Sequence, residues 1–173
     1  MTLIKEIRIN QNFDTNIEKF TPRISLFLKS YFICESYAKE LQKLALFENN
    51  KMYLRKKLSA LENKKVTKKK IEHLITHMDM TKLRGYNPRD NIDLRKLKSL
   101  IDDTNYSHEK LERLFSSVPL GEVPNRVKSV RILRNEVVHS IKKTALNDIE
   151  SRYQELLSLM KEFIRLFTDQ DYL

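Results

Sequence analysis

The chain is poor in residues that break, turn or staple a backbone. Its 173 residues include two glycines, four prolines, one cysteine and no tryptophan. Average usage would supply about 20 glycines and prolines in a chain this long. A β-sandwich or barrel draws its turns from those residues, so such folds are starved, and collagen-like or Gly/Pro-rich disordered chains are excluded. Cys34 stands alone, so no intrachain disulfide can form, which fits a reducing compartment. Among apolar neighbours at helical spacing, it reads as a small buried hydrophobe. Long apolar runs are missing as well. The longest stretch without Asp, Glu, Lys or Arg is Leu114–Gly121, well short of the ~20 residues of a membrane-spanning helix. The opening MTLIKEIRIN lacks the continuous apolar core of a secretory signal. A cytoplasmic protein without a membrane partner is expected.

What is present suits a helical fold. Hydrophobic residues make up 40% of the chain, and 33 Lys+Arg face 23 Asp+Glu, a formal balance of +10. The length suits one domain with a real core. The expectation is therefore all-α: residues 1–173 as a single helical bundle with a long N-terminal helix and a C-terminal amphipathic helix. The charge is clustered. Residues 51–70 hold nine Lys/Arg against Glu62, and residues 124–143 hold six against Glu136. Such clusters draw polyanions, although a lysine-rich run is also what a solvated helical hairpin shows.

Apolar spacing predicts the helices. Thr21-Pro22 reads as a cap and first helical position. Ile24, Phe27, Tyr31, Cys34, Ala38, Leu41 and Ala45 then step by threes and fours, predicting a helix over about 22–48. Residues 13–20 suggest a short preceding helix, and 50–62 a separate following one. Thr67 would cap a helix over about 68–84, before the Gly85-Tyr86-Asn87-Pro88 break. Short helices are expected from Asn91 to about Asp102 and from Ser107 to about Ser117. Pro124 would open a helix with Val127, Val130, Leu133 and Val137 inward. The last helix, about 145–168, carries Ile149, Tyr153, Leu156, Met160, Phe163 and Phe167 in one stripe. That stripe suits a bundle core or a dimer seam. Val138, Ile141, Ala145 and Ile149 would also keep phase through one unbroken helix, so the last two helices are either separate or continuous.

Chemistry concentrates in Arg131-Ile-Leu-Arg134-Asn135-Glu136-Val137-Val138-His139-Ser140. Histidine titrates near neutrality and serves as general acid or base. Arginine's fork of donors suits charge building on phosphoryl oxygens. Asn135, one turn before His139, is placed to hold a phosphate oxygen or orient the imidazole. Together they suit RNA cleavage by 2′-OH attack on the adjacent phosphate, a route that needs no metal. Arg134 and His139 are five residues apart, about 140° around a helix and ~7.5 Å along it. Two chains facing across a two-fold axis would bring both residues, twice over, to one composite site and supply separate acid and base histidines.

This stretch resembles the R-x4-6-H signature of HEPN domains, through Arg134, the polar Asn135, the apolar Val137-Val138 pair and His139. The resemblance implies a small helical bundle acting as a homodimeric endoribonuclease without cofactor, in toxin–antitoxin or antiviral defence, with a cognate antitoxin or regulatory protein as partner. Arg134 would stabilise the transition state, His139 would be the acid/base and Asn135 the support. Arg131, Lys142 and Lys143, with Lys64, Lys65 and Lys68 of the other basic cluster, would seat the RNA. Where some HEPN toxins carry a modifiable tyrosine two residues after the histidine, this chain has Ile141. The alternative is a non-catalytic helical module that binds nucleic acid or a partner through the Lys51–Lys70 face. His73 and His77 have i,i+4 spacing, but Leu74 stands where H-E-x-x-H needs glutamate, so surface histidines are expected there. With glycine only at 85 and 121, no phosphate-cradling loop can be built.

Overall fold

The computed structural model describes residues 22–61, 65–78, 87, 91–101, 103–140 and 142–168. The expected helix over 13–20, Thr21, Lys64 and residues 79–86 lie outside them. Among the described residues there are six helices and no strand: α1 (Pro22–Ser59), α2 (Lys65–Thr76), α3 (Leu94–Leu100), α4 (His108–Phe115), α5 (Val130–Ser140) and α6 (Lys143–Thr168). The protein is all-α. Its contacts divide the chain into two compact units, Met1–Tyr37 with Thr104–Leu173, and Ala38–Asp103.

Instead of two helices meeting near residue 49, α1 runs unbroken for 38 residues. Glu48-Asn49-Asn50 is polar but contains no breaker. Asn50 donates from Nδ2 to the Leu46 carbonyl at 2.9 Å, one turn back, and Lys51 pairs with Glu48 at 3.7 Å. α2 starts at Lys65, so Thr67 lies inside its first turn, and the helix ends at Thr76. α3 starts at Leu94 because Asp93, not Asn91, is the cap: its carboxylate accepts the Arg95 and Lys96 amides, both at 3.1 Å. α4 begins as its spacing predicts, with the Ser107 hydroxyl accepting the Lys110 amide at 3.3 Å.

The first unit holds a dense core. Ile24, Phe27, Tyr31 and Cys34 of α1 are buried with Leu111, Leu114 and Phe115 of α4, Val130, Leu133 and Val137 of α5, and Ala145, Ile149, Leu156, Met160 and Phe163 of α6. Phe163 lies at its centre, with ring centroids 5.3 Å from Phe115, 5.6 Å from Tyr106 and 5.1 Å from Phe167. Of the C-terminal stripe, Ile149, Tyr153, Leu156, Met160 and Phe163 are consumed by this core, and Phe167 is half-buried. Ion pairs flank the core: Arg113 with Glu155, and Lys110 with Glu162 at 2.7 Å.

Pro124 does not open a helix. The chain from Ser116 to Ser129 is a loop closed by two 2.8 Å backbone bonds between Leu120 and Val127. Gly121 adopts φ +85°, a left-handed conformation that a side chain would strain, and an added Cβ would meet the Asn125 carbonyl oxygen at 3.3 Å. Val127 is thus drawn out of helical phase and is 45% exposed. Ser129 starts α5 instead. Its hydroxyl donates to the Ser116 carbonyl at 2.6 Å and accepts the Ile132 amide at 3.2 Å. α5 and α6 are separate helices, since the regular helix ends at Ser140 and resumes at Lys143.

Val137 is fully buried whereas Val138 is 44% exposed, which rules out the phase that an unbroken final helix requires. Val137→Asp should therefore cost about 3–5 kcal/mol, as an unpaired buried charge does. Val138→Asp should cost less than about 1 kcal/mol. Urea unfolding of the two variants checks the assignment.

Cys34 is fully buried, with Sγ 3.5 Å from the Met160 carbonyl oxygen. Burial pushes its thiol from 9.0 up to about 12. The unfolded thiol ionises first, so this contribution to stability is whole below pH ~8.5 and is lost as pH rises toward 12. Native protein at pH 8 should resist thiol-specific labelling, and denatured protein should react fully.

Candidate active site

The candidate site lies within the first unit, on α5. Leu133 and Val137 with Val130 form the buried stripe of that helix. Helical geometry sets the rest: Asn135 and His139, four residues apart, project on the side turned away from the stripe, and Arg134 projects between the two directions. His139 is exposed in the last turn, and Asn135 is half-buried.

Arg134 turns inward instead of toward solvent. Its Nη2 donates to Glu35 of α1 at 2.6 Å, with the two side chains 13% and 19% exposed. The guanidinium carbon lies 4.8 Å from the Tyr31 ring centroid and 5.2 Å from that of Phe32. A planar, weakly hydrated cation is well suited to an aromatic cradle of this kind. Two polar atoms in the cradle, Arg134 Nε and the Tyr31 hydroxyl, are buried without a hydrogen-bond partner among the described residues. The Tyr31 phenol is pushed upward chiefly by burial and further by Glu35, with Arg134 and Arg131 opposing.

Neighbouring charges are held in fixed roles. Arg131 is half-buried and donates to the Phe115 carbonyl at 3.5 Å, so it ties α5 to the end of α4 as well as contributing charge. Glu136, the one acid of the motif, is engaged by Lys128 at 2.9 Å, and Lys128 also reaches Asp148 at 3.2 Å. Lys142 and Lys143 are exposed at the α5–α6 junction, where the Lys142 amide donates to the Glu136 carbonyl at 3.3 Å. Of the other basic cluster, Lys65 is exposed and Lys68 half-buried on α2, and Lys64 lies outside the described residues.

Within one chain Arg134 and His139 do not project to a common point, as their five-residue separation requires. Asn135 and His139 share a face, and Lys142 and Lys143 follow close in sequence. Glu35, Tyr31 and Phe32, which fix Arg134, escaped the motif reading. The available signal was a carboxylate placed four residues after Tyr31, beside the inward positions of α1. Exposed His73 of α2 and His77, just beyond its end, stack with centroids 4.1 Å apart, and the His77 Nδ1 lies 3.0 Å from the His73 carbonyl oxygen. No group of three or more His, Cys, Asp or Glu among the described residues is arranged to hold a metal ion. No described helix is long and apolar enough to cross a membrane.

Comparison of the chain with protein-family models, with curated proteins and with solved structures finds no match.

Removing one partner of the Glu35–Arg134 pair leaves the other half-desolvated. Glu35→Ala should therefore lower the unfolding free energy by about 1.5–3 kcal/mol. Most of that loss should disappear in an Arg134→Met background. Denaturant unfolding of the wild type, both single variants and the double variant measures the coupling.

Proposed function

We propose that the protein is a HEPN-type endoribonuclease that cleaves RNA by transesterification, needs no metal for that step, and works as a homodimer in a toxin–antitoxin or antiviral setting. The observation that carries this reading is the arrangement on α5. An exposed imidazole ends the helix, an amide lies one turn behind it on the same face, and the adjacent arginine is fixed from below by Glu35.

The chemistry follows from those groups. A base removes the proton from a ribose 2′-OH, and the oxygen attacks the adjacent phosphorus. The bond from phosphorus to the 5′-oxygen then breaks, and an acid protonates the leaving oxygen. The products are a 2′,3′-cyclic phosphate and a free 5′-hydroxyl. One His139 cannot hold both roles in one turnover, so the paired histidines of two chains act as base and acid. Arg134, turned inward against Glu35, fixes the rotation of α5 that leaves Asn135 and His139 outward, and the exposed Lys142 and Lys143 offset charge on the phosphoryl oxygens. Asn135 orients the imidazole or a phosphate oxygen. Exposed Lys142 and Lys143 meet the RNA backbone, whereas the half-buried Arg131, at the opposite end of α5, is tied to the Phe115 carbonyl. A defence role implies an antitoxin or regulatory protein that covers this end of α5.

A second reading, a non-catalytic module that binds nucleic acid or a protein through Lys51–Lys70, is favoured by one feature of α2. Lys65, Lys68 and Lys69 occupy its first two turns, and no acid stands in the first. Cations there oppose the helix dipole, so a bound polyanion would relieve them. This reading expects salt-sensitive binding that survives His139→Ala.

In EDTA, purified protein should cut single-stranded RNA to products ending in 2′,3′-cyclic phosphate. His139→Ala should lower the rate by about 100-fold or more, as loss of a general acid–base does, with the helical circular dichroism unchanged. Equal cleavage by that variant would remove the site assignment.

A further inference from the structure

We infer a nucleotide-binding cleft in the second unit, separate from the residues proposed for RNA cleavage. The cleft has a volume of about 330 Å³ and lies between the Lys39–Asn49 turns of α1 and a second wall made by Asn87, Asn91 and the start and end of α3. That volume falls in the range of small-ligand sites, ~300–1,000 Å³. Its shape is pinned from within the unit: Gln42 of α1 donates from Nε2 to the Asp93 carbonyl at 2.7 Å.

The lining specifies the ligand chemistry. Beside Gln42, whose Nε2 is engaged by the Asp93 carbonyl, Asn49, Asn87 and Asn91 bring carboxamides to the cleft, each carrying a donor and an acceptor side by side. That pairing matches the hydrogen-bonding edge of a nucleobase, where donors and acceptors also alternate. Lys39 and Lys96 bring two cations against the one carboxylate of the lining, leaving a net positive charge that suits a phosphate. The single carboxylate in the lining, Asp93, is already engaged. One oxygen caps α3 through the Arg95 and Lys96 amides, and the other lies 3.6 Å from the Lys96 ammonium. Leu46 and Leu100 supply aliphatic surface against which the face of a base can rest. Amides, two cations and an apolar wall describe a 5′-mononucleotide unit, either free or as one residue of an RNA strand.

The inference does not depend on the ribonuclease reading, because binding is measured without turnover. The His139→Ala protein is titrated calorimetrically with each of the four 5′-ribomononucleotides, with adenosine, and with inorganic phosphate. At least one mononucleotide should bind saturably, and more tightly than adenosine or phosphate. Lys39→Ala and Asn91→Ala, each checked for unchanged helical content, should weaken that binding about 10-fold or more, as loss of a charged or bidentate contact does. Competition by a four-nucleotide RNA assigns the cleft to an RNA strand, and absence of competition assigns it to a free nucleotide. The inference is overturned if no mononucleotide saturates the protein at millimolar concentration. It is equally overturned if binding is unchanged in both variants.

Discussion

The pairing of Arg134 with Glu35 is the constraint on which the first unit's site depends. A guanidinium that is only 13% exposed must be answered by an anion, because an unanswered charge at that depth is costly. Glu35 provides the answer from α1, and Tyr31 and Phe32 provide the surface on which the cation lies. This contact fixes how α5 rotates against α1. With Leu133 and Val137 turned into the core and Arg134 turned toward Glu35, Asn135 and His139 are left on the outer side. Substituting Glu35 would therefore disturb the outer face as well as the fold.

Much of the fold was legible in the sequence because its signals are local. The stripe on α6 repeats at helical spacing through Phe163, and Ser107 caps α4 by a contact three residues long. Misreadings arose where a local signal was ambiguous. The polar run Glu48-Asn49-Asn50 resembles a turn, yet without glycine or proline α1 continues through it. Val127 keeps a three-residue step with Val130, but its backbone bonds to Leu120 hold it outside α5. The motif residues were readable as types in sequence. The partner of Arg134 was not, since Glu35 lies 99 positions away and no periodicity links them.

The charge balance acquires a structural meaning. The basic stretch at 124–143 belongs to the first unit and is partly neutralised internally, with Glu35 taking Arg134 and Glu136 taking Lys128. The cations left exposed there are Arg126, in the loop before α5, and Lys142 and Lys143, which follow His139 closely in sequence. The stretch at 51–70 belongs to the second unit and exposes Arg55, Lys56, Lys57, Lys65, Lys69 and Lys70. Lys56 and Lys57 close α1, where cations favour the helix dipole, whereas the lysines that open α2 oppose it. The first group therefore has a structural explanation of its own, and the second does not.

The central claim is that two histidines from two chains complete one site, and it can be tested by dilution with an inactive chain. Wild type is mixed with His139→Ala at constant total protein, subunits are allowed to exchange, and RNA cleavage is measured against the wild-type fraction. If both histidines of a dimer are needed, activity follows the square of that fraction and falls to about a quarter in an equal mixture. A linear fall, to about half in the same mixture, would mean that each chain cleaves by itself and would contradict the account.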